Sequence, residues 1–142
     1  MKHLRTEILI KAPAEKVWAT LTDFDTYPRW NPFITRLVGD TSEGGKIEAT
    51  LLGMTIKPRI ERMESDTELR WVGHLGVPGI FDVEHYFRLD GKGDDATRFV
   101  HGERFTGFLV PIFALVGQFN KIESAFADMN EALKARVEGV QK

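Results

Sequence analysis

Between Pro111 and Val140 the apolar residues Leu115, Phe119, Ile122, Phe126, Met129, Leu133 and Val137 recur in steps of three and four. That spacing sets them in one stripe along a single helix. Gln118, Asn120, Lys121, Glu123, Asp128, Glu131, Lys134 and Arg136 fall mostly off it. At about 1.5 Å per residue such a helix is a rod roughly 40 Å long, and its stripe needs an apolar surface of matching length. The chain upstream alternates with period two, so the expected surface is a β-sheet.

The first strand, His3 to Lys11, carries Leu4, Thr6, Ile8 and Ile10 on one face. Ala12-Pro13-Ala14-Glu15 then changes the period, since Pro13 suits a first helical turn and Glu15 the positive helix end. Val17, Trp18 and Leu21 give this short helix its apolar face, and Thr22-Asp23 reads as the cap of a second turn through Tyr27. Further strands are expected at Phe33 to Val38, Lys46 to Leu52, Thr55 to Glu64, Glu68 to Leu75, Ile80 to Leu89 and Ala96 to Thr106. Consecutive strands with short turns imply an antiparallel sheet. The expected fold is therefore an α+β domain over residues 1–142, a curved antiparallel sheet of about seven strands wrapped around a long C-terminal helix. A sheet curved that strongly leaves a gap in its core, and the gap becomes a pocket.

Composition narrows the partners. A net charge of −2 carries no electrostatic footprint for nucleic acid. Cysteine is absent, which excludes disulfides, thiol catalysis and thiolate metal sites. The longest apolar run, Gly107 to Gly117, is far shorter than the roughly 20 residues of a membrane-spanning helix, so no stable membrane insertion is expected. Met1 to Thr6 lacks the apolar core of a signal peptide, and a cytoplasmic protein, monomer or homodimer, is the expectation. Neither a phosphate-binding glycine loop nor a nucleophile elbow is present.

The element order, with Ala12-Pro13-Ala14-Glu15-Lys16-Val17-Trp18 after the first strand, resembles the START-like (SRPBCC) helix-grip superfamily. Tyr27-Pro28-Arg29-Trp30-Asn31-Pro32-Phe33, Leu69-Arg70-Trp71, Pro78-Gly79-Ile80-Phe81, Glu84-His85, Phe87 and the strand from Thr97 to Val110 resemble its polyketide cyclase/dehydrase-like bacterial subgroup. The resemblance spans essentially the whole chain. It implies a deep apolar pocket between sheet and C-terminal helix, on a scaffold that hosts carriers, sensors, enzymes and cochaperone-like proteins alike.

The last hairpin carries the candidate chemistry. One strand presents Phe81, Val83, His85, Phe87 and Leu89 on its inner face, and the return strand presents Thr97, Phe99, His101, Glu103 and Phe105. A turn centred near Gly93 sets position 85 opposite 101 and 83 opposite 103, with Cβ atoms roughly 4.5–5.5 Å apart. His85, His101 and Glu103 thus meet on a phenylalanine-rich wall, where buried polar groups need partners. They can satisfy one another as a structural network, orient the polar end of an apolar ligand, or act as a catalytic acid–base set in a cyclisation or dehydration. The same set has the ligand types of a metal site, but the spacing is weak and the resembled family lends it no support, so no metal or other cofactor is expected.

Trp30, Phe33, Trp71, Phe81, Phe87, Phe99, Phe105, Phe113, Phe119 and Phe126 are the aromatic candidates for the ligand wall. Of these, Trp71 reads first as core, and Trp30 reads equally as a core anchor. Asn31 reads as a local turn cap and His74 as solvent-facing. Phe108, Leu109, Ile112 and Phe113 straddle Pro111 as an apolar hinge, either a lid or a buried helix start. The leading expectation is binding or carriage of a small hydrophobic ligand: a lipid, an aromatic or a polyketide-like molecule. A cofactor-free cyclase or dehydratase using His85, His101 and Glu103 is the alternative, and a chaperone-activator-like interaction module the third reading.

Overall fold

The computed structural model describes residues 1–74 and 76–139. Leu75 and Val140, which closed an expected strand and helix, lie outside the described residues. Strand β1 (Lys2–Ile10) is followed by α1 (Ala14–Leu21), a 3-10 turn (Phe24–Thr26) and α2 (Tyr27–Trp30). Then come β2 (Ile34–Gly39), β3 (Ile47–Leu51), β4 (Met54–Ile56), β5 (Arg59–Glu64), β6 (Glu68–His74), β7 (Asp82–Gly91) and β8 (Thr97–Thr106). The chain ends with α3 (Val110–Leu115) and α4 (Gln118–Glu138).

Two antiparallel sheets form, ordered β1-β8-β7-β6-β5 and β2-β3-β4. They meet where the Ile47 N–H donates to the Pro58 carbonyl at 3.0 Å and the Ile60 N–H to Gly45 at 2.8 Å. The expected strand from Thr55 to Glu64 is therefore two strands. Pro58 explains the break, because it has no N–H for the ladder and holds Lys57 in a restricted backbone.

The long helix is also broken. Gly117 adopts φ 74°, the left-handed region, and separates α3 from α4. Leu115 consequently leaves the expected stripe and stands 88% exposed. The remainder of the stripe holds: Phe119, Phe126, Met129, Leu133 and Val137 are buried, while Ile122 is half-buried. We expect Gly117→Ala to cost about 1 kcal/mol, since a Cβ there meets no atom but the backbone must still hold a left-handed conformation. Thermal unfolding of the single variant measures it.

Helix α4 lies mainly across β1, and its C-terminal end is tied down by Glu138. The carboxylate accepts from the Lys11 backbone N–H and from Lys134 Nζ, both at 2.7 Å. These bonds hold its pKa below the usual carboxylate value, the Lys11 bond contributing most. At the other end of the domain, the Tyr27 hydroxyl donates to the Leu21 carbonyl and locks α2 against α1. Burial pushes the pKa of that phenol up. Thr22 was expected to cap the second turn; instead its hydroxyl donates back to the Trp18 carbonyl at 2.8 Å and closes α1.

Candidate functional site

Strands β7 and β8 pair with Gly91 opposite Thr97, and the Lys92 N–H donates to the Ala96 carbonyl at 2.8 Å. The connecting loop thus runs 92–96 and centres on Asp94, one residue beyond the expected Gly93. The register moves by two: His85 faces Glu103, Phe87 faces His101 and Val83 faces Phe105. An even shift leaves every side chain on its expected face, so His85, His101 and Glu103 still converge.

They converge as a chain. His85 Nε2 lies 2.8 Å from His101 Nε2, and His101 Nδ1 lies 3.0 Å from Asn130 Oδ1 on α4. Asn130 Nδ2 donates to Thr6 Oγ1 on β1 at 2.8 Å, and the Thr6 hydroxyl donates to the His101 carbonyl at 3.1 Å. At the opposite end Glu103 Oε2 sits 3.3 Å from His85 Nδ1. His85, His101, Glu103 and Asn130 are all buried. Phe126 stacks on His101 at 4.1 Å between ring centroids, and Trp71 stacks on His85 at 5.1 Å.

The proton positions follow from donors and acceptors. Thr6 donates to a carbonyl, so it must accept from Asn130 Nδ2, which leaves Asn130 Oδ1 as an acceptor facing His101. His101 Nδ1 therefore holds a proton. Burial pushes the pKa of His101 well below that of a free imidazole, and the neighbouring His85 pushes the same way against the Asn130 hydrogen bond. His101 is neutral, its Nε2 is bare, and His85 Nε2–H must donate to it. Beyond it, His85 Nδ1 faces Glu103 Oε2 at 3.3 Å. The two Nε2 atoms, at 2.8 Å, are closer than the ~3.3 Å that a tetrahedral zinc shared by two imidazoles imposes. Among the described residues no group of three or more His, Asp or Glu side chains is arranged to hold a metal ion.

Glu103 is also on the wall of a cavity of about 80 Å³. Leu51 and Ile56 line it from the β3–β4 hairpin, Phe81 from the loop before β7, Phe105 from β8, and Phe113 and Ile122 from α3 and α4. This is well below the few hundred Å³ that a drug-sized ligand fills, though ample for several waters or a small molecule. Glu103 joins the two, lining the cavity on one side and on the other starting the buried chain through His85 and His101 to Asn130.

The aromatic candidates divide accordingly. Phe81, Phe105 and Phe113 line the cavity, and Phe119 packs behind Phe105 at 4.8 Å. Phe33, Trp71, Phe87, Phe99 and Phe126 are fully buried around the histidines, away from the cavity. Trp71 is core, and its indole N–H has no protein partner. Trp30 is half-buried and anchors α2 by donating to Thr26 Oγ1 at 3.0 Å. Asn31 caps locally, accepting from the Phe33 and Ile34 N–H groups. His74 is exposed, with Nδ1 2.7 Å from Asp82.

Residues 1–138 match the family model described as polyketide cyclase / dehydrase and lipid transport. The chain belongs to that family. Among curated proteins none matches the sequence. Solved structures do match in fold. A hypothetical protein of Helicobacter pylori superposes with a TM-score of 0.78 at 19% identity, covering 96% of this chain and 88% of that one. The Zhui aromatase/cyclase of a Streptomyces species gives 0.78 at 17% identity, covering 96% and 93%. A START superfamily protein of Mycobacterium smegmatis gives 0.72 at 18% identity, covering 98% and 99%. At such identities the likeness establishes the helix-grip fold.

Within this member of the family, Asn130 and Thr6 complete the polar chain and were not expected from sequence. Asn130 did leave a signal: it stands four residues after Phe126 and three before Leu133, a polar side chain inside the apolar stripe.

Proposed function

We propose that this chain binds a small apolar molecule that carries one hydrogen-bond donor, such as a hydroxyl, with the donor held by Glu103. The observation behind this reading is a cavity of mainly apolar lining with one buried carboxyl group on its wall. Glu103 Oε2 is turned to His85, and the remaining oxygen accepts hydrogen bonds whether the group is protonated or not. Carriage or sequestration needs no more than this.

The experiment is calorimetric titration with 1-naphthol and with naphthalene, which differ only by the hydroxyl. Wild type is expected to favour naphthol, and Glu103→Leu to weaken naphthol roughly tenfold to a hundredfold while leaving naphthalene unchanged. Equal binding of both probes, or none, overturns the reading. Native mass spectrometry before and after organic extraction then identifies any ligand that co-purifies.

A cofactor-free cyclase or dehydratase is the second reading, favoured by the carboxyl–imidazole pair of Glu103 and His85, 3.3 Å apart. A group of this kind can give a proton to a carbonyl or alcohol oxygen and take one back. Chemical alteration of the bound ligand, abolished by Glu103→Leu and by His85→Phe, distinguishes catalysis from carriage.

A further inference from the structure

We propose that the cavity mouth is a peripheral docking surface for an anionic lipid bilayer, touching the membrane without spanning it. Leu52 and Met54 at the β3–β4 hairpin are about half exposed, at 50% and 49%. In and around α3, Phe108, Ile112, Leu115 and Val116 are 70%, 56%, 88% and 61% exposed. Leu52 and Met54 line the cavity, and the other four flank Phe113 in sequence, which lines it from α3. The hairpin lines the cavity opposite Phe113, and Phe81 stacks on Phe113 at 4.3 Å. The Phe108 and Leu109 N–H groups donate to the Gly79 and Ile80 carbonyls of the β6–β7 loop, at 3.3 and 3.1 Å. Isolated exposed apolar residues are ordinary; this many beside one cavity are not.

Charge selects the occupant. The stretches beside the cavity, 51–58, 73–74, 76–81 and 105–122, contain two lysines, Lys57 and Lys121, and no aspartate or glutamate. Lys2 adds a third ammonium, 5.8 Å from the Phe119 ring. Asp82, next to these stretches, is occupied by His74 and the Gly79 N–H. A chain of net charge −2 thus turns a positive, greasy end outward. Exposed apolar side chains with lysines nearby suit the boundary between acyl chains and anionic headgroups. The arrangement also lets an apolar ligand pass between bilayer and cavity without crossing water. In that respect it rests on the ligand reading above.

Flotation with phosphatidylcholine vesicles, with and without 30% phosphatidylglycerol, tests the proposal. The protein is expected to float with the anionic vesicles, less so at high salt. Leu115→Asp and Phe108→Asp, at exposed positions outside the cavity, should each weaken binding about tenfold or more while melting like wild type. Absence from both vesicles, equal binding to both, or binding unaffected by either variant overturns it. So does a concentration-dependent dimer in sedimentation that Leu115→Asp dissolves, which assigns the face to a second copy. Naphthol titration without lipid separates the two proposals. Naphthol binding without flotation removes the docking surface alone, and flotation without naphthol binding removes the ligand reading alone.

Discussion

Phe126→Ala is expected to lower the stability of this domain by about 3–5 kcal/mol, the largest loss from any single truncation considered. The ring is fully buried and sits where three elements meet. It stacks on His101 at 4.1 Å, and meets Phe33 and His85 edge-on, each at 5.3 Å between centroids. Its removal deletes apolar area and also opens a void beside two imidazoles. The surrounding β-sheet collapses into that void only in part, which is why the cost exceeds simple transfer of the ring. Urea denaturation should show a lower midpoint with an unchanged slope. Phe113→Ala provides the contrast: this ring is half-buried on the cavity wall, so its truncation should cost much less. Equal losses at both sites would mean that the core is not centred on the histidine chain.

The second large effect is acid sensitivity near neutrality. His101 is buried and neutral, and desolvation holds its folded pKa well below the 6.5 of a free imidazole. Between those two values the unfolded chain binds a proton that the folded chain refuses. Unfolding is then favoured as pH falls, and stability is lost at up to about 1.4 kcal/mol per pH unit below roughly 6.5. The loss continues until pH reaches the lowered folded pKa of His101. The groups facing His101 are His85 on β7, Asn130 on α4 and the rings of Phe33, Phe87 and Phe126. Among these, His85 is the titratable neighbour, and Glu103 stands behind it. Chemical denaturation at a series of pH values, on wild type and His101→Gln, isolates the contribution. The variant should lose that dependence below pH 6.5, whereas an unchanged slope would assign it elsewhere. The lowered carboxylates, Asp40, Asp82 and Glu138, act in the same direction only in more acidic solution, below their unfolded values.

Local periodicity determined much of this protein. The stripe from Phe119 to Val137, the inward row on β7 and β8, and the hairpin order all follow from which residues repeat at 3.6 or at two. Those repeats depend on neighbours in the chain, so they are visible without coordinates. The helix-grip fold was legible for that reason, as was the meeting of His85, His101 and Glu103 on one face.

Tertiary structure decided what the periodicity leaves open. Loop geometry, set by the bond from Lys92 to Ala96, chose Glu103 rather than His101 as the partner opposite His85. Pro58 and Gly117 divided a strand and a helix whose apolar patterns run through the breaks, because a missing N–H and a left-handed φ act on the backbone and not on the pattern. Asn130 became part of the site only once α4 crossed β1 beside Thr6, a contact between residues 124 positions apart. Which aromatic rings fill the core and which border the cavity was settled last. That depends on how closely the sheet closes on α4 at each end, a property of packing across the whole domain.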